Sequence, residues 1–474
     1  MNDQTQSPGL HRTEYARDAV SVGIVHLGYG AFHRAHQAVY LDDYMQISGD
    51  LNWGIAAINL RAAESDAFLA AQAARDGYLL KTTTPEGERN LRLVRTHVEF
   101  SDWAQDAAAS EAIVARASVH AISVTVTESG YYLNDDWSLN TSDPAIAAEL
   151  AGGPGNSVYA YLAAALARRA EAGGAPISIL CCDNIRSNGH MLERNFLNYL
   201  RLTGKDDLAD WVGQHATFPC SMVDRITPRS TGELHAEISA LYPGQFLAEI
   251  HAETFIQWVL EDKFAGDFPD LARAGVQVVS DVDPFEEAKI RILNGGHLGL
   301  TFLGALAGYT TFDEAMRDPA LRAHFDGWET ENVLPGLTID LPFDKSAYVQ
   351  DIAARFSNRA IADQLERICM DGWSKMPIYI RPTLEGCLKQ GISPRFGYDC
   401  IASWYVYARR FAAGKMPVTY HEPYWTSLEP LLAPGQEETF ARTQALWANL
   451  PQAYSEFVPG IVRAIKEMEE KWPA

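Results

Sequence analysis

The chain has 474 residues, of which 47% are hydrophobic, 21% charged and 11% aromatic. That balance excludes a disordered, fibrous or collagen-like chain. Its 39 basic and 61 acidic residues leave a net charge of −22. So acidic a surface argues against nucleic-acid binding, where phosphate contacts need cations, and against docking on anionic lipid. The most apolar run, residues 298–308, falls short of the roughly 18–20 residues of a membrane span. The first 17 residues lack the pattern of a secretory signal. Six cysteines (Cys181, Cys182, Cys220, Cys369, Cys387, Cys400) show no CxxC pair and no histidine spacing suited to zinc. They read as reduced thiols of a cytoplasmic protein without a metal site.

In chain order, the first clear element is the apolar run Val22–Leu27, which suits a buried parallel strand. A glycine-bearing turn follows, Gly28-Tyr29-Gly30-Ala31-Phe32-His33-Arg34, and then a helical pattern through Ala38, Leu41 and Met45. A second apolar run at 54–60 completes a strand–turn–helix–strand unit. Further strands are expected at 120–127, 177–182 and 276–282, with helical patterns between them, as at 157–170. This alternation predicts an α/β domain with a mainly parallel sheet. From Pro284 onward β-branched runs become scarce and helical spacing dominates. We therefore expect two domains, 1–283 and 284–474. No Gly/Ser linker separates them, and a cleft between them is the default binding site.

Gly28-x-Gly30 between a strand and a helix is half of a dinucleotide fingerprint. The first glycine permits the turn, and the second lets backbone N–H groups approach a pyrophosphate. The third glycine is replaced by His33, so a plain strand-to-helix turn is the competing reading. The second strand of such a unit usually ends in an acid that binds ribose hydroxyls. Here Asn59 lies inside it, Arg61 follows, and Glu64 and Asp66 lie just beyond. Arg61 suits adenine stacking, a 2′-phosphate or plain solvent, which leaves NAD and NADP both open.

The segment from Asp283 to His297 is the most informative. Asp283 suits a helix N-cap, Pro284 the first helical position and Glu286 the third. At about 100° per residue, with Lys289 at zero, Glu286 falls near ~60°, His297 near ~80° and Asn294 near ~140°. Leu293 and Ile290 lie between them. A lysine held on so mixed a face loses solvation, its pKa drops toward neutrality, and it can serve as a general base. Asn294 can donate to an oxygen, His297 can orient a hydroxyl, and Glu286 can pass a proton outward. An ordinary i,i+3 pair of Glu286 with Lys289 is the alternative, and Gly295-Gly296 offer a helix end. A second polar cluster, Asp183 to Gly189, follows the strand at 177–182. Asn184 there can supply another donor to a developing oxyanion, unless Asp183 or Asn188 merely forms an Asx turn.

At these residues the sequence resembles the polyol-specific long-chain dehydrogenases. The matching segments run from Gly28 through Gln37, from Thr125 through Leu133, at Cys182-Asp183-Asn184, from Ser221 through Pro228, and from Glu287 through Asn294. Within the family the branch of D-arabinitol 4-dehydrogenase is the most similar, through Ile58-Asn59-Leu60-Arg61, residues 253–259 and Asp371 to Pro377. The resemblance implies a Rossmann-like dinucleotide-binding domain followed by a mainly helical domain. It also implies metal-independent, NAD-linked oxidation of a secondary alcohol of a linear polyol, D-arabinitol to D-xylulose in the favoured case. Lys289 is then the base, Asn184 and Asn294 hold the alkoxide, and His297 and Lys375 meet substrate. Glu286 gates proton exit, while Gly28, Gly30, Phe32, Arg34, Asn59, Arg61 and Thr127 bind cofactor. Mannitol–fructose interconversion, fructuronate reduction (with Lys375 or Arg381 as the fixed cation) and a silent nucleotide-binding module are the rivals. The expected partner is a small polyol or ketose, and the expected state is a monomer or weak homo-oligomer.

Overall fold

The computed structural model describes residues 9–74, 76–134, 136–416 and 419–473. Of the first 17 residues, read above for a signal, residues 1–8 lie outside them. The chain forms two compact units, Met1–Thr84 with Glu88–Asp283, and Pro284–Ala474 with Pro85–Gly87.

The first unit is built on a six-stranded parallel sheet: β1 Val22–Leu27, β2 Gly54–Asn59, β3 His97–Asp102, β4 Ala121–Val124, β5 Ile177–Cys181 and β6 Ala216–Thr217. Their spatial order is β3-β2-β1-β4-β5-β6, the doubly wound order that reverses at β1. Every residue of β1 and β2 is buried, because helices cover both faces. Val25 and Leu27 enter one apolar cluster with helix Val158–Glu171, and Ile24 enters another with helix Gln37–Ser48. The mostly apolar character of these strands follows from that double cover.

Two smaller sheets flank this core. One has the order Leu10–Arg12, Arg89–Val94, Tyr78–Thr83, Ile250–Glu253; the other has Ser221–Asp224, Gln257–Glu261, Gln277–Val279. The strand expected at 276–282 is therefore only Gln277–Val279, and it pairs with Gln257–Glu261 rather than joining the main sheet.

The second unit is helical. Its centre is the helix Arg395–Ala412, whose Trp404, Tyr405 and Tyr407 are wholly buried. Helices Gly295–Leu306 and Phe457–Lys471 pack against it. The segment around Lys289 departs from the expected regular α-helix. An α-helix Asp283–Ala288 passes into a π-helical turn, Lys289–Asn294, and then into the helix Gly295–Leu306. Asp283 is already helical, and its N–H donates to the Asp281 carboxylate at 3.0 Å, so the capping carboxylate is Asp281. Gly295-Gly296 do not end the helix. They are close-approach positions: a Cβ at Gly296 would collide with Glu329 Oε1.

Candidate active site

The glycine turn sits at the switch point of the sheet. Gly28 has φ +97°, and a Cβ there would collide with the carbonyl oxygen of Thr125 in the β4 loop. Only glycine fits both the backbone and the space. A Cβ at Gly30 would meet nothing within 4 Å, so its backbone faces open room. These two residues line a pocket with Tyr29, Asn59, Arg61, Glu64, Thr125, Thr127, Tyr132 and Asn156. All of these cluster past the carboxyl ends of parallel strands, where the fold receives ligands. The donor set fits a dinucleotide: glycine backbone for a pyrophosphate, and the β2 end with Glu64 for ribose hydroxyls.

Asn59 folds back, its Nδ2 donating to the Arg61 carbonyl at 3.0 Å, and this shapes the bend that presents Arg61. The Arg61 side chain is about half exposed, 3.5 Å from Glu64. The β4 loop is held by a residue whose role the sequence did not reveal. Asp183 accepts from Val126 N–H at 2.8 Å, Thr127 N–H at 3.0 Å and Tyr131 OH at 2.7 Å. That clamp maintains the left-handed backbone of Thr127 (φ +65°), which costs about 1–3 kcal/mol when unsupported. Burial raises the Asp183 carboxyl to about 6 despite these donors. Asp183 is thus a cross-loop anchor, not the Asx turn considered above.

Phe32 and Arg34 are not among the residues that line this pocket. Phe32 stacks on His36 at 5.0 Å. Arg34 packs over Tyr29 and Tyr78 and donates to the Ala248 carbonyl at 2.9 Å, which ties the helix start to the flanking sheet. His33, at the missing third glycine, stacks on His26 of β1 with centroids 3.2 Å apart. Its Nε2 lies 3.0 Å from His97 Nε2. Two ring nitrogens can share one hydrogen only if a ring is neutral. Burial holds His26 down to about 3 and keeps His33 and His97 well below the ordinary histidine value.

These rings stay neutral in the fold but take up protons when unfolded. Their contribution is therefore full above about pH 6.5 and is lost as pH falls from there toward their native values. At about 1.4 kcal/mol per pH unit per ring, the three together should cost about 4 kcal/mol per unit. Urea midpoints at pH 7.5, 6.5 and 5.5 should stay level over the first interval and drop steeply over the second.

In the helical unit, Lys289 is 8% exposed and Glu286 9% exposed. The π turn changes their relation to Asn294. Its hydrogen bonds join residues five apart, and Gly295 N–H accordingly reaches the Ile290 carbonyl. Lys289 and Asn294, also five apart, are thus neighbours across one turn rather than ~140° apart as in a straight α-helix. Asn294 Nδ2 is buried and has no hydrogen-bond partner, the condition of a donor kept for a ligand. Arg291 points elsewhere, to Glu287 at 2.8 Å, Thr383 at 2.7 Å and the Gly336 carbonyl at 3.1 Å, and so locks the turn into the core.

His297 stacks on Phe356 and meets the edge of Phe312. Its Nε2 is 3.7 Å from Asp363, and Asp363 pairs with Arg367 at 2.6 Å. Burial holds His297 down to about 4, so it acts as a neutral imidazole. Sequence patterning gave no sign of Asp363 or Arg367. Lys375 donates to the carbonyls of Ile368 (3.0 Å) and Met370 (2.6 Å) at a helix end, and burial lowers its pKa. Arg381 donates to the Leu446 carbonyl. Asn184 is exposed at the carboxyl end of β5.

A 3-2-1-4-5-6 parallel sheet with a glycine turn at its switch point, joined to a helical unit carrying a buried lysine, defines a two-domain dehydrogenase of the Rossmann class. Residues 22–273 match the mannitol dehydrogenase Rossmann domain, and residues 281–469 match the mannitol dehydrogenase C-terminal domain. The chain is 36% identical over 470 residues to D-arabinitol 4-dehydrogenase of Ralstonia nicotianae, covering 98% of this chain and 99% of the relative. It is 37% identical to D-arabinitol 4-dehydrogenase of Klebsiella pneumoniae, covering 90% and 94%. Among solved structures, mannitol 2-dehydrogenase of Pseudomonas fluorescens, in ternary complex with NAD and D-mannitol, superposes with a TM-score of 0.85 at 30% identity, covering 98% and 95%. The chain belongs to the mannitol dehydrogenase family, and it is a polyol dehydrogenase of that family.

Proposed function

We propose that the protein oxidises D-arabinitol to D-xylulose with NAD, the N-terminal domain holding the dinucleotide and the C-terminal domain supplying the base. The observation that supports this reading is the burial of Lys289 on a π turn that also carries Asn294, whose amide nitrogen is buried without a hydrogen-bond partner. A bound nicotinamide dinucleotide supplies the two-electron acceptor. Gly28 and Gly30 receive its pyrophosphate, and the Glu64 carboxylate accepts from ribose hydroxyls while repelling a 2′-phosphate. That carboxylate favours NAD even though Arg61 stands where an acid is usual.

Lys289 accepts the proton of the reacting hydroxyl at Nζ. Asn294 donates to the oxygen as it gains charge, and neutral His297 positions a neighbouring hydroxyl. Glu286, one turn before Lys289, carries the proton outward. Asn294→Ala should lower kcat by about 10²–10³-fold with little change in KM for the polyol, as steady-state kinetics would show.

The relatives named D-arabinitol 4-dehydrogenase support the C5 polyol, and the mannitol-bound neighbour supports a C6 polyol as the second reading. Initial rates with D-arabinitol and D-mannitol, each with NAD+ and NADP+, and with fructuronate in the reducing direction, test the choice. The highest kcat/KM should fall on D-arabinitol with NAD+. Preference for mannitol or fructuronate replaces the substrate assignment, and inactivity on every polyol ends it.

A further inference from the structure

Outside the proposed catalytic residues, the first unit gathers three side chains of metal-ligating type from distant parts of the sequence: His190, Cys220 and Glu261. One ligand atom from each lies within 4.8 Å of the others. Sequence spacing gave no hint of this, since the residues stand 30 and 41 positions apart and form no zinc motif. The grouping is a product of the backbone. Ser221 pairs antiparallel with Leu260, and Cys220 and Glu261 extend that pairing. The Glu261 N–H donates to the Cys220 carbonyl, and the Cys220 N–H donates to Glu261 Oε2, each at 2.9 Å.

His190 is brought over them by the start of helix Asn188–Leu202. Asn188 accepts from Ser221 N–H at 2.9 Å and donates to the Ser221 carbonyl at 2.8 Å. At Gly189 a Cβ would collide with the Phe218 carbonyl, so glycine alone lets the helix come this close. Cys220 is buried, Glu261 partly buried and His190 exposed.

We propose that His190, Cys220 and Glu261 form a binding site for one zinc-class divalent cation, separate from the catalytic residues. One nitrogen, one sulfur and one carboxylate oxygen suit a borderline-soft ion; Mg²⁺ and Ca²⁺ prefer all-oxygen sites. Bonds of about 2.0–2.3 Å put tetrahedral ligand atoms roughly 3.5 Å apart, so binding draws the three side chains closer together by rotation. On binding, the thiol proton of Cys220 leaves to solvent and the thiolate coordinates. The fourth position is left to water. The ion then staples the start of helix Asn188–Leu202 to the strand Ser221–Asp224.

The test uses the full chain, freed of any affinity tag and treated with chelator, titrated with ZnCl₂ by calorimetry and with CoCl₂ by absorption. The expected result is one ion per chain, a thiolate-to-cobalt charge-transfer band in the near ultraviolet, and a zinc-dependent rise in Tm. Cys220→Ser should remove the band and weaken zinc binding at least tenfold. His190→Ala, a surface change that leaves the fold intact, should weaken it comparably. The proposal is overturned if no stoichiometric binding occurs at tens of micromolar zinc. Binding that persists unchanged in His190→Ala, or a cobalt band that survives Cys220→Ser, overturns it equally.

Discussion

Lys289→Ala should lower kcat for polyol oxidation by about 10⁴-fold, the upper range for loss of a general base, while NADH binding measured by fluorescence titration stays within a few-fold. The reasoning is local. Lys289 lies in the helical unit, whereas the glycine turn, Glu64 and the Asp183-anchored loop belong to the other unit. The substitution changes none of the residues assigned to the cofactor. Lys289→Arg should be equally inactive, because a guanidinium cannot give up its proton near neutral pH. That variant separates a base from a mere positive charge. Added small primary amines should partly restore the Ala variant and not the Arg variant, whose side chain still fills the space. Normal turnover in either variant would remove Lys289 from the reaction.

Gly28→Ala should be the most damaging change in the other unit. A left-handed backbone costs a non-glycine residue about 1–2 kcal/mol, and the new methyl would also strike the Thr125 carbonyl. Relief requires β1 and β4 to part at the pocket mouth. We expect a stability loss of about 3 kcal/mol or more by urea unfolding. The KM for NAD should rise about 100-fold, since displacements near 1 Å at a binding loop cost that much. A Gly30→Ala variant is the internal comparison. Nothing stands within 4 Å of a Cβ there, so its stability should be near wild type and its defect confined to the cofactor.

The four inner strands of the main sheet were legible because they are covered on both sides, whereas the edge strands His97–Asp102 and Ala216–Thr217 are mostly half-buried and carry no such apolar run. Val22–Leu27 and Gly54–Asn59 are buried throughout and mostly apolar, and the glycines stand where β1 ends. The flanking sheets were not legible for the opposite reason. Ile250–Glu253 finds its partner Tyr78–Thr83 across some 170 residues, and no local periodicity records such a pairing. The lysine segment was read as helix from its caps and spacing, yet its π turn escaped. Residues at i and i+5 carry no amphipathic signature, so Asn294 was placed too far round from Lys289. Asp183 looked like a turn residue; its three donors come from residues 126–131, which only the fold brings near. His33 broke the glycine fingerprint, and the structure gives the reason: a stacked imidazole, rather than a bare backbone, fills the space between helix and β1.

The π turn at Lys289–Asn294 packs against two others, Trp328–Val333 and Met376–Ile380. A widened turn holds one residue more than an α-helical turn would, and relaxing it means pushing that surplus along the chain. With each such turn wedged against its neighbour, the surplus has nowhere to go. The backbone beneath Lys289 is thus fixed by segments forty and ninety residues downstream.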